Sequence, residues 1–327
     1  MQLESFKGLY QRNHLPNSEL EFGLGVLKSS EAFFPEGTLF DEIKTGDLDR
    51  LIAHLVKNHQ NTVPAFVALM RYFRLIKRND LFIRLTEYSG GDGVIQNIMA
   101  RIKESEGEDE AESIMFEMEI PEMGTPPEKL PEFTEKFMNR LESWLSFESI
   151  RKDLAGNNHG VPKEAFANEK VIYDQAANLH TYLRDLHYRK VAELQRFCDE
   201  KRVWFEQKIT QKVVDYVAKN LEILSAYLED GKLYVTKIPY DTENYLKAAS
   251  DTEKRYYACH CPFVREAIRS GKNRISNNWC YCSAGFEKHQ FEVLFDRELP
   301  IKVLNSALAG DNLCRFEISL EGVPYKK

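Results

Sequence analysis

The nine residues "KLYVTKIPY", Lys232 to Tyr240, mark the point at which the sequence stops following a helical pattern. β-branched and aromatic residues dominate this stretch, as is typical of β-strands. Pro239 has no backbone N–H to donate, so we expect the strand to end there or to lie at a sheet edge. The stretch therefore separates a helical N-terminal part of the chain from a C-terminal part of mixed structure.

The residues that follow predict a small antiparallel sheet with a helix. The segment "IKVLNSALAGDNLCRFEISL", Ile301 to Leu320, is typical of a hairpin, with a turn at Gly-Asp-Asn and Cys314, Phe316 and Ile318 on one face of its second strand. Before it, "CYCSAGFEKHQFEVLFD" fits a helix with an aromatic face and Ser283 as its cap. Residues 231–327 are thus predicted to form an α+β domain that contains five of the six cysteines.

Upstream, apolar residues recur at helical spacing. In residues 1–165 the pattern predicts short amphipathic helices that pack together. From 166 to 230 it predicts longer helices, as in a helical hairpin or a short coiled coil, and the last of these is expected to run from Trp204 to Leu228. The predicted fold class is therefore α+β: a helical N-terminal region followed by a small α+β domain with an antiparallel sheet.

An acidic, proline-rich segment near 104–132 interrupts the helical region. It holds nine acidic side chains and no basic one between Glu104 and Glu122, and Pro126, Pro127 and Pro131 follow. Such a composition indicates a solvated loop. The alternative is a docking site for a basic partner.

The charge and hydropathy of the chain bear on the class of protein. The chain has 327 residues, a net charge of −7 and 43% hydrophobic residues, enough for an ordinary core. An acidic chain is not drawn to nucleic acid or anionic lipid. We find neither a signal-peptide pattern nor an apolar run long enough to span a bilayer, so a cytoplasmic protein with no membrane or nucleic-acid partner is the expectation.

The cysteines are concentrated near the C-terminus as two Cys-x-Cys pairs, Cys259 with Cys261 and Cys280 with Cys282. On an extended backbone the two thiols of each pair would point to one side. Two such pairs would supply four thiolates to a tetrahedral metal, and zinc is the metal that best fits this ligand set. An iron–sulfur cluster is an alternative.

Two further hypotheses apply to the same cysteines. Cys282 near a helix N-terminus would have a lowered thiol pKa and would be a candidate nucleophile. His289, two turns along the same helix, is too far away to be its base, and His260 could reach it only through tertiary folding. The other hypothesis is that the thiols are buried and inert, and this is the expectation for Cys314.

The motifs "CHCPFVREAI", "CYCSAGF" and "GDNLCRF" resemble known families. The C-terminal part resembles the 4-vinyl reductase type of small-molecule-binding domain, and it is similar to the L-2-amino-thiazoline-4-carboxylic acid hydrolase-like family. The whole combination looks like a group of uncharacterised bacterial proteins with an added helical region. The resemblance implies a ligand cavity between sheet and helices. It also implies a metal site in which Cys280 or Cys282 and Cys314 match family ligands, while the strand "VLNSALAG" supplies none.

Two functions follow as hypotheses. The first is a cytoplasmic protein that binds a small apolar or aromatic ligand, with zinc on Cys259, Cys261, Cys280 and Cys282 and a homodimer formed through the helical region. The second is a hydrolase or transferase that uses Cys282 or a zinc-bound water.

Overall fold

The computed structural model describes residues 1–271 and 274–327. The chain forms two compact units: unit 1 comprises Met1–Asp92 and Pro121–Pro127, and unit 2 comprises Gly93–Ile120 and Glu128–Lys327. The predicted α+β class is confirmed, since helices occupy the N-terminal part and an antiparallel sheet lies in the C-terminal part. The two units divide the chain at positions other than the predicted borders at 165 and 230.

Unit 1 is a group of amphipathic helices. In the third of them, Leu48, Leu51 and Leu55 recur at helical spacing and are buried, as the pattern predicts. The helices of unit 1 are α1 Leu3–Arg12, α2 Asn17–Ala32, α3 Thr45–Lys57, α4 Val63–Leu75 and α5 Asn79–Ser89, with a 3₁₀ turn at Phe40–Glu42.

The segment Pro121–Pro127 belongs to unit 1 although it is distant in sequence. The side-chain amide of Asn61 donates to the carbonyl oxygen of Met123 at 2.7 Å. Gly124 has φ +89°, and a Cβ there would lie 2.7 Å from Val56, so only glycine fits this approach.

Unit 2 contains the remaining helices and strands of the described residues. Its helices are α6 Val94–Ser105, α7 Glu108–Met115, α8 Leu130–Trp144, α9 Phe147–Leu154, α10 Ala167–Gln175, α11 Leu179–Asp199, α12 Gln211–Ala218, α13 Thr242–Lys247, α14 Asp251–Ala258, α15 Pro262–Ser270 and α16 Tyr281–Phe295. Its strands are β1 Val203–Trp204, β2 Gln207–Lys208, β3 Tyr227–Glu229, β4 Lys232–Thr236, β5 Ile301–Asn305 and β6 Arg315–Ser319. 3₁₀ turns occur at Pro127–Lys129, Lys163–Phe166 and Asn277–Cys280.

The four-stranded antiparallel sheet has the order β3-β4-β6-β5. Asp230 and Gly231, with φ +48° and +72°, form the two-residue turn between β3 and β4. The predicted strand in "KLYVTKIPY" is present as β4 and ends before Pro239. The predicted C-terminal hairpin is also present as β5 and β6.

Two local predictions are wrong. The acidic segment is not a continuous loop, because α7 occupies Glu108–Met115. Three of its four acidic residues lie in the first helical turn, where negative charge is favourable, and Ala111 and Ile114 are buried.

The predicted helix from Trp204 to Leu228 is broken up as well. A short hairpin of β1 and β2 comes first, α12 follows, and β3 begins at Tyr227. The reversal between β1 and β2 places Phe205 at φ +49°, which a continuing helix does not allow.

The core beside the cysteines is built mainly by helices. Val264, Trp279 and Cys282 are buried in one cluster with residues of α6 and α8. A second core lies between the sheet, α11 and α16, where Leu233, Phe291 and Ile318 are buried. Helix α16 contributes to both cores and fixes its N-terminal residues relative to the sheet. No helix among the described residues is long and apolar enough to cross a bilayer.

Candidate functional site

The first cysteine pair lies in a short extended link between two helices. Cys259 follows α14 and Cys261 precedes α15, both with extended backbone angles, as predicted. Cys259 is buried, and the indole N–H of Trp279 donates to Sγ of Cys261 at 3.1 Å. Between them, Nε2 of His260 lies 2.6 Å from the carbonyl oxygen of Ile238. Burial and the charge of Lys237 lower the pKa of His260 to about 3, so the ring is neutral near pH 7.

The second pair has helical backbone. Cys280 ends the 3₁₀ turn Asn277–Cys280, and Cys282 is the second residue of α16. The predicted extended approach and the Ser283 cap are therefore wrong. Ser276 caps the turn instead, because its hydroxyl oxygen accepts from the N–H of Asn278. The turn runs into α16 without a break, so Cys282 lies further from the positive end of the helical segment than predicted.

The five C-terminal thiols are close enough to influence one another. Burial and then Cys261, Cys314 and Cys280 raise the pKa of Cys259. Burial and then Cys314 raise the pKa of Cys280. Cys314, predicted to be a buried and inert thiol, is instead only partly buried and is a neighbour of Cys280 at the start of β6.

These thiols do not form a ready metal site in this conformation. Within residues 1–271 and 274–327, no group of three or more His, Cys, Asp or Glu side chains is arranged to hold a metal ion. The zinc ligand set predicted from Cys259, Cys261, Cys280 and Cys282 therefore stays a prediction.

Cys282 has a histidine partner from a different part of the chain. Nε2 of His159 lies 3.6 Å from Sγ of Cys282. The His159 ring also meets the edge of Phe286, with the ring centroids 5.1 Å apart. Cys282 is 4% exposed, whereas His159 is exposed at the surface. Partial burial of the ring, and then the charge of Lys237, lower the pKa of His159, so the imidazole is neutral near pH 7.

A close backbone approach positions the His159 loop. A Cβ at Gly285 would lie 2.4 Å from the carbonyl oxygen of Gly156, so only glycine allows α16 to come this near. The loop is closed by Asn157, whose side chain accepts from the N–H of Val161 at 3.0 Å and donates to its carbonyl oxygen at 2.8 Å. The tight packing of the loop on α16 holds His159 beside Cys282.

Lys237 supplies a positive charge to the same region. Its ammonium donates to the Ser283 hydroxyl at 2.9 Å, lies 3.4 Å from the carboxylate of Glu287 and 4.8 Å from the Phe286 ring centroid. Burial and then Cys261 raise the pKa of Cys282, while the charge of Lys237 lowers it. The cation that favours a Cys282 thiolate is therefore this lysine.

His159 and Lys237 were both missed from the sequence. The sequence does carry a signal for Lys237. Leu233, Val235 and Lys237 are spaced two residues apart, and the side chains of Leu233 and Val235 are buried, so Lys237 is expected to face the core. A lysine at a core-facing position suggests a functional charge. His159 carries no such signal, because its partner lies on a helix far along the chain.

A polar groove of about 450 Å³ lies near Cys314, at the end of the sheet. Glu222 lines this groove, and the guanidinium of Arg315 donates two hydrogen bonds to its carboxylate, at 2.8 and 2.7 Å. Its lining residues are Asn220, Glu222, Thr236, Asn305, Asp311, Asn312, Leu313 and Arg315. The groove is more polar than the predicted apolar or aromatic cavity.

Comparison with known proteins gives one family. The model of a family of unknown function (DUF6144) matches residues 240–323. No curated protein and no solved structure matches the chain significantly. The matched segment contains the five C-terminal cysteines but neither Lys237 nor His159. The resemblance to the 4-vinyl reductase and hydrolase-like families stays a prediction.

Proposed function

We propose that unit 2 binds a small electrophilic molecule and reacts with it through the thiol of Cys282. The observation that carries this proposal is the 3.6 Å contact between Sγ of Cys282 and Nε2 of His159. A thiol beside a neutral imidazole is the arrangement of an activated cysteine nucleophile. This is the hydrolase or transferase hypothesis, now with a base that comes from outside the cysteine-rich segment.

The chemistry of the pair follows from its surroundings. Burial favours the neutral thiol, so the proton moves to His159 when a ligand is attacked rather than in the resting protein. Sulfur then bonds to a carbonyl carbon of the ligand, and the leaving group takes the proton from the imidazolium. Water or an acceptor completes hydrolysis or transfer by releasing the thiol.

Alkylation followed by peptide mass mapping tests this proposal. Iodoacetamide should label Cys282 of the native protein faster than Cys259 or Cys280, which are also buried but have no histidine partner in the described contacts. Replacement of Cys282 by Ser should remove the fast phase, and replacement of Cys198, far from this region, should not. Equal and slow labelling of all five C-terminal cysteines would contradict the proposal.

A thiolate metal centre is the second candidate function. It is supported by the mutual proximity of the thiols, with Cys261 affecting the pKa of Cys259, Cys280, Cys282 and Cys314. Metal binding requires these side chains to move together from the arrangement described above. Near-stoichiometric zinc in protein purified without added metal, with four protected thiols, is the expected result. A metal-free protein excludes this candidate.

The other expectations remain proposals. They are a cytoplasmic location, a homodimer through the helical region and an apolar ligand, the last of which the polar groove near Cys314 does not favour. Light scattering of the purified chain decides the oligomeric state.

A further inference from the structure

Both the backbone and the ammonium group of Lys237 are held in place by hydrogen bonds. Its backbone N–H donates to the carbonyl oxygen of Cys314 at 2.9 Å, which fixes the residue beside the start of β6. The side chain is only 11% exposed, and its ammonium lies on one side of α16, near Ser283, Phe286 and Glu287. A buried ammonium so placed has a fixed direction, unlike a surface lysine.

The partners of this ammonium leave part of its hydrogen-bonding capacity unused. An ammonium has three donors. Among the contacts of the described residues, that to Ser283 is 2.9 Å, while that to Glu287 is 3.4 Å, longer than a charge-assisted hydrogen bond prefers. Because Ser283 accepts from Lys237, its own hydroxyl hydrogen is left to donate to another acceptor.

The ammonium is also next to the reactive thiol. The Phe286 ring has the Lys237 ammonium 4.8 Å from its centroid on one side and the His159 ring 5.1 Å away, and His159 in turn contacts the thiol of Cys282. Ser283, which accepts from Lys237, follows Cys282 in α16. Two donors, Lys237 and Ser283, are thus adjacent to the position where a ligand of Cys282 would bind.

We propose that Lys237, with the Ser283 hydroxyl, binds an anionic group, a carboxylate or a phosphate, of the small molecule that Cys282 attacks. This inference rests on the proposed function and adds the ligand's charge to it. In the free protein Glu287 partly balances the lysine, and on binding the ligand's anion takes over that role. The site selects negatively charged electrophiles over neutral ones of the same reactivity.

Two alkylating reagents that differ in charge test the inference. Iodoacetate carries a carboxylate where iodoacetamide carries a neutral amide. The measured ratio is the labelling rate of Cys282 with iodoacetate divided by its rate with iodoacetamide. This ratio should fall at least about fivefold in Lys237→Met relative to the natural protein, as expected for loss of one nearby charge. Lys302→Met, which removes an exposed lysine with a 73% exposed side chain, should leave the ratio unchanged. Glu287→Gln should raise it, because the competing carboxylate is gone.

The outcomes separate a binding role from other roles. If Lys237 only promotes thiolate formation, both reagents slow equally in Lys237→Met and the ratio is unchanged, which overturns the inference. If Lys237→Met does not fold, an unchanged or lower ratio in Glu287→Gln overturns it.

A second measurement does not depend on the reactivity of Cys282. Acetate and inorganic phosphate are added separately, and the thermal midpoint is followed. Saturable stabilisation should occur in the natural protein and in Lys302→Met but not in Lys237→Met, and the more effective anion identifies carboxylate or phosphate as the group recognised. Cys282 that resists both alkylating reagents refutes the proposed function alone, whereas absence of Lys237-dependent stabilisation refutes the anion site.

Discussion

His159 and Cys282 are separated by 123 positions in the chain, yet Nε2 of the imidazole lies 3.6 Å from Sγ of the thiol. Two features of the fold produce this contact. The loop after α9 is closed by Asn157, and α16 approaches that loop at Gly285 more closely than any side chain would permit. The pair therefore depends on backbone packing, and its geometry can be disturbed without touching either residue.

Gly285→Ala tests this dependence. The added methyl would lie 2.4 Å from the carbonyl oxygen of Gly156, so α16 and the His159 loop must separate. We expect a loss of about 1–3 kcal/mol in the free energy of unfolding, as for other overpacked sites. We also expect slower alkylation of Cys282, because the imidazole moves away. Urea unfolding and peptide mass mapping measure the two effects.

Gly25→Ala is the matched control for Gly285→Ala. Gly25 lies inside α2, and no atom comes within 4 Å of a Cβ built there. Alanine at that position should stabilise the protein by about 0.5–1 kcal/mol through helix propensity. A neutral Gly285→Ala variant with unchanged labelling would show that the close approach does not hold the pair together.

His159→Gln should slow the reaction of Cys282 with iodoacetamide at neutral pH by about tenfold or more, since a positioned base commonly contributes at least this much. The glutamine keeps a polar side chain of similar size but cannot take up the proton. His180→Gln, at an exposed position on α11, is the control and should leave the rate unchanged. If Cys282 reacts with iodoacetamide at the same rate in His159→Gln, the contact between His159 and Cys282 is a packing contact and His159 is not a base.

The outline of the fold could be predicted because it depends on local patterns. β-branched and aromatic residues after Gly231 predicted strand β4, and the apolar run from Ile301 predicted β5. Apolar residues at helical spacing predicted α3. The predicted helix from Trp204 failed because the apolar spacing hides a reversal at Phe205, whose backbone conformation no spacing rule records. Local patterns thus determine which elements form more reliably than where each one ends.

The site was only half predictable for the same reason. The cysteine pairs stand out in the sequence, and the extended backbone assumed for them is present at Cys259 and Cys261 but not at Cys280 and Cys282. His159 is brought to Cys282 by tertiary packing, which a single sequence does not reveal. Lys237 could have been found, because it occupies a core-facing position after β4. Cys314 was predicted to be inert because it shares a strand face with Phe316 and Ile318, whereas its nearness to Cys280 results from sheet and helix packing.

The Asp230-Gly231 turn provides a test of the sheet. Gly231 has φ +72°, a conformation that costs an L-residue about 1–2 kcal/mol. Gly231→Ala should lower the free energy of unfolding by about that amount, measured in urea. Asp230→Asn should be nearly neutral, because asparagine adopts the left-handed conformation readily and suits this turn type. Equal effects of the two substitutions would contradict the turn assigned here.

Glu222 should make the stability of unit 2 depend on pH. Burial acts to raise the pKa of this carboxyl, but hydrogen bonds from Arg315 and Thr236 outweigh it and leave the pKa below its usual value. A carboxyl whose pKa is lower in the folded than in the unfolded chain stabilises the fold above its unfolded-state pKa, about 4.3. That stabilisation is lost as the pH falls through the folded-state pKa.

Glu222→Gln should therefore lower the free energy of unfolding by about 1–2 kcal/mol at pH 7, because the two charge-assisted bonds from Arg315 are lost. The difference from the natural protein should shrink steadily below about pH 4.5, where protonation removes the same charge in the natural chain. Glu321→Gln, at an exposed position after β6, should show no such trend. Urea unfolding between pH 3.5 and 7 gives both curves. A difference that stays constant down to the lowest pH would mean that Glu222 stabilises the sheet end by packing and not by its charge.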